Sequence, residues 1–273
     1  MSADPSIDDL ISLALGAGRE IMNVRDAGFD TEKKLDGSPV TIADQRAEKI
    51  IEEGLARLAP DVPMIGEEAF ASGRIPEIGA RFFCVDPLDG TRGFVKGGDE
   101  FTVNIALIAD GAPLKGVVFA PATGELYAGE PGRALSGRYN AHTGAELAAL
   151  VQIRAQANAP ATWRVVASDL SGRNQQTRDF TAKLGAVAMH ASSSIKFCRL
   201  AEGAADLYPR FGDVREWDAA AGHAILSAAG GGVMGLDGAP LRYGAREDRF
   251  LIRGFVAFAS AAAASAARAA LSR

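Results

Sequence analysis

Apolar positions near the start of the chain recur with helical spacing. Over residues 7–24 they lie three or four positions apart, which predicts an amphipathic helix. The same spacing recurs from Thr41 or Ile42 to Leu58 and predicts a second helix. Because each helix presents one apolar face, we expect both of them to cover a β-sheet.

The pattern then changes to short apolar runs with turns between them. The runs VPMIGEE and RFFCVDP end in carboxylates, which is typical of buried strands whose ends carry a site. Residues 101–110, 114–120 and 124–130 are divided by the turn sequences DGAP and PATG. This arrangement predicts antiparallel strands joined by tight turns.

A polar, glycine-rich stretch at residues 131–147 is interpreted as a connection, and a second half begins near Trp163. Strand and helix patterns alternate from there, which predicts an α/β layer. We therefore expect an N-terminal α+β half, residues 1–158, and a C-terminal α/β half, residues 159–273. The alanine-rich tail, residues 258–273, predicts a terminal helix.

Composition narrows the class of protein. Hydrophobic residues make up 48% and charged residues 23% of the chain, which is the balance of a globular protein of enzyme size. The net charge of -5 includes no basic block, so the electrostatic signature of a polynucleotide-binding protein is missing. We expect a small-molecule partner.

Cysteine usage and the N-terminus indicate the compartment. Cys84 and Cys198 lie in apolar surroundings and are interpreted as small core residues. The start of the chain resembles no signal peptide, and no window is apolar enough for a transmembrane segment. We expect a cytoplasmic protein. Peripheral attachment to the inner face of the cell membrane and a homodimer remain open.

Carboxylates are the candidate chemistry. Glu67 and Glu68, Asp86 and Asp89, and Asp218 each follow apolar residues at a strand end or a helix start. Crowded, partly buried carboxylates repel one another unless a cation neutralises them. Hard oxygen donors favour Mg²⁺, with Mn²⁺ as a substitute, and no cysteine–histidine set competes for a softer metal.

The segment VDPLDGTRGF, residues 85–94, is interpreted as a metal cradle. Pro87 fixes its own backbone angle, which helps both aspartates and the Leu88 carbonyl to converge on one ion. Gly90 permits a sharp turn, and the Thr91 hydroxyl can lie beside a bound water.

A phosphate ester is the substrate class that this cradle suits. The alanines after Asp218 predict a helix whose N-terminus can attract a phosphate. Two metal ions about 3.5–4 Å apart would hold both oxygens of a phosphoryl transfer, with water as the nucleophile. Each motif alone is more often a solvated turn or a capped helix, but their joint occurrence favours the site.

The segments GEE, DPLDGT and WDAAAG resemble the signatures of the inositol monophosphatase superfamily of Mg²⁺-dependent, lithium-sensitive phosphatases. Longer segments, among them SSSIKFCRLAEGAADLYPRFG, are similar to its 3'(2'),5'-bisphosphate nucleotidase branch, the CysQ type. The resemblance implies a layered αβαβα sandwich with the site between its halves. It also implies hydrolysis of 3'-phosphoadenosine 5'-phosphate (PAP) to AMP and phosphate, a step of sulfate assimilation and nucleotide recycling.

The resemblance assigns roles residue by residue. Two or three Mg²⁺ ions are implied at Glu67, Asp86, the Leu88 carbonyl, Asp89 and Asp218. Asp44 and Thr91 match the pair that orients the attacking water, and Glu67 is counted as catalytic with them.

For the nucleotide, the resemblance indicates Ser193, Lys196 and Arg210. A bisphosphate needs cationic and hydroxyl donors that an acidic metal site lacks; an exposed helix face and a strand-end salt bridge are the alternatives for the two cations. The remaining expected substrate contacts border the phosphate site: Glu67, Leu88, Asp89, Gly90, Thr91 and Asp218.

The chain departs from the branch at two places. Arg92, Gly93 and Phe94 stand where the branch usually reads Lys-Glu-Phe, so a carboxylate is lost. Ser171 stands where a histidine is common, which weakens the case for adenine selectivity.

Two alternatives stay open, and a third is disfavoured. Inositol-1-phosphate or another sugar phosphate is the alternative substrate within the superfamily, and a nucleotide-binding sensor is the non-enzymatic alternative. A haloacid-dehalogenase-like phosphatase is disfavoured because its two aspartates are spaced by two, not three. We assign no catalysis to the histidines, which have no evident serine or cysteine partner: His142, His190 and His223.

Overall fold

The two N-terminal helices form as the apolar spacing predicts. The computed structural model describes residues 4–33, 37, 39–168 and 174–272. Helix α1 spans Ile7–Ala27 and helix α2 spans Ile42–Leu58. Thr41 caps α2 through a capping box with Asp44, so the start of α2 is fixed by side-chain hydrogen bonds.

The first sheet has seven strands in the order β3-β4-β5-β6-β7-β8-β9. They are β3 Met64–Gly66, β4 Arg81–Asp89, β5 Thr102–Ala109, β6 Ala112–Ala120, β7 Glu125–Glu130, β8 Arg133–Tyr139 and β9 Glu146–Gln152. Strands β3 and β4 are parallel, and the later neighbours are antiparallel. The predicted antiparallel strands are confirmed.

The interpretation of residues 131–147 as a connection is wrong. Strand β8 lies in this stretch and pairs with β7 over residues 133–138, and β9 begins at the end of the stretch. The sequence pattern hid β9 because it is an edge strand with almost every side chain exposed, so no apolar alternation marks it.

The second sheet has five strands in the order β11-β10-β12-β16-β14. They are β10 Arg164–Ala167, β11 Val187–His190, β12 Leu207–Arg210, β14 Gly232–Gly235 and β16 Phe255–Phe258. Two short pairs complete the strands of the described residues: β1 Thr31–Lys33 with β2 Pro39–Thr41, and β13 Val214–Arg215 with β15 Leu251–Ile252.

Helices fill the layers around the two sheets. After α2 they are α3 Glu67–Ala71, α4 Thr91–Val95, α5 Gln175–Lys183, α6 Ile195–Ala201, α7 Ala220–Ala228 and α8 Ala261–Leu271, with a 3₁₀ turn, η1, at Glu216–Asp218. Helices α1 and α2 cover one face of the first sheet, α6 and α7 lie between the sheets, and α5 and α8 cover the far face of the second. The predicted αβαβα sandwich is therefore confirmed.

The middle layer joins the two sheets through the largest apolar cluster. Cys84 of β4 and Cys198 of α6 lie in it, both buried and free, as predicted for core residues. The predicted division at residue 158 falls between β9 and β10 and stays a prediction as a domain boundary. None of the helices in the described part of the chain has the length and apolarity that crossing a membrane requires.

The end of β4 is irregular at the two aspartates of the candidate site. Asp86 pairs with Asn104 of β5 and Asp89 with Thr102, and the register shifts between the two pairs. This irregularity bends the strand end. The spacing of three between the aspartates is thus accommodated by a local break in the ladder.

One buried histidine should make the stability of the fold depend on pH. His223 of α7 is 8% exposed, and its Nδ1 lies 3.0 Å from the Tyr243 hydroxyl. Burial lowers the pKa of His223 to about 4. The unfolded chain binds the proton near pH 6.5, so stability is present above that pH and is lost as the pH falls towards 4.

We predict that His223→Gln removes this pH dependence. The variant keeps a polar group near Tyr243 but has no proton to bind. Between pH 7 and 4 the wild type should lose about 3 kcal/mol of unfolding free energy more than the variant. Urea unfolding of both proteins in metal-free buffer measures the difference. Parallel stability profiles over this range would refute the role of His223.

Candidate active site

Three aspartates meet at the end of β4. Asp86 and Asp89 come from β4 and Asp218 from η1 in the second half of the chain, and one carboxylate oxygen from each lies within 4.8 Å of the others. Asp86 is 1% exposed. The structure therefore gathers carboxylates that are separated by up to 132 positions in sequence into one acidic cluster.

Glu67 extends the cluster from a third element. It is the first residue of α3, and its side chain is hydrogen-bonded to that of Asp86. Burial raises the pKa of Asp86 well above its usual range, and the charges of Glu67, Asp89 and Asp218 raise it further. The pKa of Asp218 rises to about 7, again through burial and then through the charges of Asp89 and Glu67.

The donor set fits a hard divalent cation. Within the described residues no cysteine or histidine joins the aspartate cluster, so every ligand on offer is an oxygen. Beneath the cluster, the Asn104 Oδ1 and Thr102 Oγ1 atoms of β5 are buried without a hydrogen-bond partner in the described structure. Repelling carboxylates in such a setting bind protons or a metal.

The turn after β4 has the geometry that its sequence predicts. The Leu88 N–H donates to Asp86 Oδ1 at 3.0 Å, and the Leu88 carbonyl accepts from Thr91 Oγ1 at 3.0 Å. Gly90 has a φ of +99°, which strains any residue with a side chain. A Cβ there would lie 2.5 Å from Ser193 Oγ, so glycine is also required for space.

Asp44 of α2 and Thr91 of α4 lie side by side. Thr91 Oγ1 lies 3.1 Å from Asp44 Oδ1. The other carboxylate oxygen of Asp44 accepts from the N–H and the hydroxyl of Thr41, at 2.8 and 2.7 Å. Asp44 is 1% exposed, so α2 holds it rigidly.

Ser193 lies on the other side of the turn. It has a φ of +50°, a left-handed conformation that is unfavourable for serine. Its hydroxyl has two acceptors, the Asp89 carbonyl at 3.0 Å and the Glu100 carbonyl at 3.1 Å. These hydrogen bonds hold the Ser193 side chain beside Asp89 in spite of the unfavourable backbone conformation.

Lys196 is buried beside the acidic cluster. It is 4% exposed, its Nζ donates to Ser168 Oγ at 2.9 Å, and the ammonium lies 5.0 Å from the centre of the Tyr208 ring. Burial lowers the pKa of Lys196 to about 8, while the charge of Asp89 acts in the opposite direction. The alternative of an exposed helix face is wrong.

Arg210 ends β12 at the same cavity. Its Nε is buried without a partner among the described residues, and its Nη2 lies 3.5 Å from the Asp213 carbonyl. Within the described part of the chain it forms no salt bridge with a carboxylate, so the alternative of a strand-end ion pair finds no support there. Arg210 therefore has donors available for an anion.

Two connected cavities adjoin the cluster. The smaller, of about 590 Å³, is lined by Asp89, Ser193, Lys196, Arg210 and Asp218 among others. The larger, of about 1340 Å³, is lined by Glu67 and shares Arg210 and Asp218 with the smaller one. The acidic cluster thus lies between the wider cavity and the smaller one, whose lining combines Lys196 and Arg210 with acidic residues.

The sequence and the structure match one family over nearly the whole chain. The model of the inositol monophosphatase family covers residues 4–270. The protein belongs to this family. Members of the family are metal-dependent phosphatases, and the resemblance of the signature segments is confirmed.

Two curated relatives of the chain are bisphosphate nucleotidases. The 3'(2'),5'-bisphosphate nucleotidase CysQ of Shigella flexneri is 41% identical over 252 residues, covering 91% of this chain and 98% of the relative. The protein of the same name from Escherichia coli K12 is 40% identical with the same coverage.

Two solved structures of related proteins are similar to this chain over nearly its whole length. CysQ from Bacteroides thetaiotaomicron has a TM-score of 0.73 and 33% identity, covering 93% of this chain and 96% of that chain. An inositol monophosphatase from Anabaena has a TM-score of 0.74 at 22% identity, covering 97% and 95% of the two chains, and supports the fold. The haloacid-dehalogenase-like alternative is excluded by the family match.

The first departure from the branch lies at the rim of the site. Arg92 and Gly93 line the smaller cavity. Phe94 is 1% exposed and stacks on Phe29 with ring centres 4.7 Å apart, so it supports the turn from below. Ser171 lies outside the described residues.

Two residues of the site, Ser194 and Asn104, were not predicted from family motifs or spacing. Ser194 Oγ lies 3.2 Å from the Asp218 carbonyl and accepts from Asn104 Nδ2 at 3.0 Å, so these two buried residues join the halves. The only sequence signal for Asn104 is a polar side chain within the apolar strand FTVNIALI. Asp218 itself closes η1, and the predicted alanine helix begins two residues later at Ala220.

Proposed function

We propose that the protein is a 3'(2'),5'-bisphosphate nucleotidase that hydrolyses the 3'-phosphate of PAP to give AMP and inorganic phosphate. The name and identity of the CysQ relatives support this activity. The observation that carries it is the buried Lys196, which lines the same cavity as Asp89 and Asp218. A substrate with one phosphate at the acidic cluster and a second near a cation suits this cavity.

Mg²⁺ is the proposed metal, as two or three ions, with Mn²⁺ as a substitute. The groups that would hold it are Glu67, Asp86, the Leu88 carbonyl, Asp89 and Asp218. When bound, such ions neutralise charge on the phosphoryl group and lower the pKa of a water molecule.

Asp44 and Thr91 are the proposed water-activating pair. The Thr91 hydroxyl has one proton and two acceptors, Asp44 Oδ1 and the Leu88 carbonyl. When it donates to Asp44, a lone pair of Thr91 Oγ1 is free to accept a proton from water. Asp44 Oδ1 is the receiving atom, since Oδ2 already accepts two hydrogen bonds from Thr41.

The nucleotide half of the substrate is assigned to the smaller cavity, which Lys196 and Arg210 line. Lys196 and Arg210 supply charge-assisted hydrogen bonds to the 5'-phosphate. The Ser193 hydroxyl oxygen borders the same space, and Gly90 leaves room for it. Glu67, Leu88, Asp89, Gly90, Thr91 and Asp218 are the proposed contacts to the phosphate that is cleaved.

We predict that the protein releases phosphate from PAP with Mg²⁺ and not with EDTA. Asp89→Asn should lower turnover at least about 100-fold, because it removes a ligand charge from the cluster. Asp61→Asn, the same chemical change on an exposed residue outside both cavities, is the matched control. A phosphate-release assay measures all three proteins.

Two outcomes would contradict the proposal, one from the same assay and one from that assay together with a measurement of PAP binding. Faster release from inositol-1-phosphate than from PAP would make the protein a sugar phosphatase of the family. Binding of PAP without release of phosphate, in the presence of Mg²⁺, would make it a nucleotide sensor.

We further predict that Lys196→Met removes the preference for a second phosphate. The Michaelis constant for PAP should rise about 10- to 100-fold, the equivalent of one lost hydrogen bond to a charged group. The constant for adenosine 3'-monophosphate, which lacks only the 5'-phosphate, should change less than about threefold. Steady-state kinetics on the two substrates provides the comparison. Equal increases would remove Lys196 from nucleotide recognition.

A further inference from the structure

The four acidic residues of the site are held with unequal firmness by their own elements. Asp86 and Asp89 belong to β4, a nine-residue strand with a neighbour on each side. Glu67 belongs to the five-residue α3 and Asp218 to the three-residue η1. Helical turns this short do not hold their own geometry. Something else must fix these two carboxylates.

A buried glutamate underlies the start of α3. Glu48 of α2 is 2% exposed. Its Oε2 accepts from the Glu68 N–H at 2.8 Å and its Oε1 from the Ala69 N–H at 2.7 Å. These are the two residues that follow Glu67, so the carboxylate of Glu48 fixes the backbone from which the Glu67 side chain projects.

A second buried glutamate does the same for η1. Glu216 is 0% exposed. Its Oε2 accepts from the Gly244 N–H at 2.7 Å and its Oε1 from the Ala245 N–H at 2.8 Å. Glu216 lies two residues before Asp218, so the short turn that carries Asp218 is anchored to a separate segment of the chain.

The space around Glu48 is closed on its other side. A Cβ on Gly66, the residue before Glu67, would lie 2.5 Å from Glu48 Oε2. The carboxylate therefore lies against backbone that tolerates no side chain. Arg74 is 3.9 Å away but its side chain is 59% exposed, so its contribution to the binding of the carboxylate is small.

Burying a carboxylate is unfavourable unless its oxygens are hydrogen-bonded. Both glutamates meet this requirement in the same way, with each oxygen accepting one of two successive N–H groups. An amide side chain has the same shape but only one acceptor. A carboxylate is the side-chain group whose two oxygens can accept from both N–H groups at once.

We propose that Glu48 and Glu216 are positioning residues for the metal centre, each fixing the backbone that presents one outer carboxylate, Glu67 or Asp218. The inference rests on the proposed metal site. Neither glutamate belongs to the set of groups proposed to hold the metal. Their effect on the reaction is exerted through metal binding.

Glutamine substitutions test the proposal. Glu48→Gln and Glu216→Gln turn an amide N–H₂ towards a backbone N–H and so lose one hydrogen bond each. The controls are Glu52→Gln, one turn along α2 with a half-exposed side chain, and Glu247→Gln, exposed near the Gly244 segment. Gly66→Ala disturbs the Glu48 contact from the opposite side.

The measurement is the EPR signal of free Mn²⁺ during titration of each protein, with thermal unfolding of the metal-free forms alongside. We expect the Kd for Mn²⁺ to rise about 10- to 100-fold in the two glutamine variants and in Gly66→Ala. The controls should stay within about twofold of the wild type. At saturating metal, turnover of PAP by Glu48→Gln should return to within about threefold of the wild-type value.

Other outcomes would overturn the inference. Unchanged Mn²⁺ affinity in folded Glu48→Gln and Glu216→Gln, beside a wild type that binds the ion, would remove both residues from the positioning of the metal ligands. Failure of Glu48→Gln to fold with or without Mn²⁺ would assign Glu48 to the stability of the fold alone. Absence of Mn²⁺ binding by the wild type would instead contradict the proposed function.

Discussion

Repulsion among buried carboxylates is the constraint on which the structure of the site depends. Asp86, Asp89 and Asp218 approach within 4.8 Å of one another. Burial raises the pKa values of all three, and the charge of Glu67 raises each of them further. A fold that gathers such groups without a cation loses stability. The same groups bind a hard divalent ion strongly because the ion removes the repulsion.

The rest of the architecture can be understood as support for this cluster. Strand β4 supplies two aspartates at a break in its ladder, and the second half of the chain supplies the third through η1. Hydrogen bonds of Ser194 and Asn104 join the halves beneath the cluster. Lys196 then places a buried positive charge beside it, which gives the cavity two regions of opposite charge.

Apolar periodicity and sequence motifs predict much of the fold and the candidate metal ligands. They do not predict one edge strand or the residues that support the site from other elements. The bounds of α2 follow from apolar spacing and from the cap at Thr41, which are local properties of the chain. Strand β9 escapes prediction because its side chains are exposed and its backbone pairing depends on a distant neighbour. The metal-ligand candidates were found through their order in the sequence, whereas Asn104 and Glu48 act through contacts that only the fold creates.

The central claim is that one cage of carboxylates from three separate elements binds divalent ions. Anomalous diffraction from crystals grown with Mn²⁺ tests it most directly. We expect two or three manganese peaks within ligand distance of Glu67, Asp86, Asp89 and Asp218. Peaks elsewhere in the molecule, or a map in which these four carboxylates point to separate places, would contradict it.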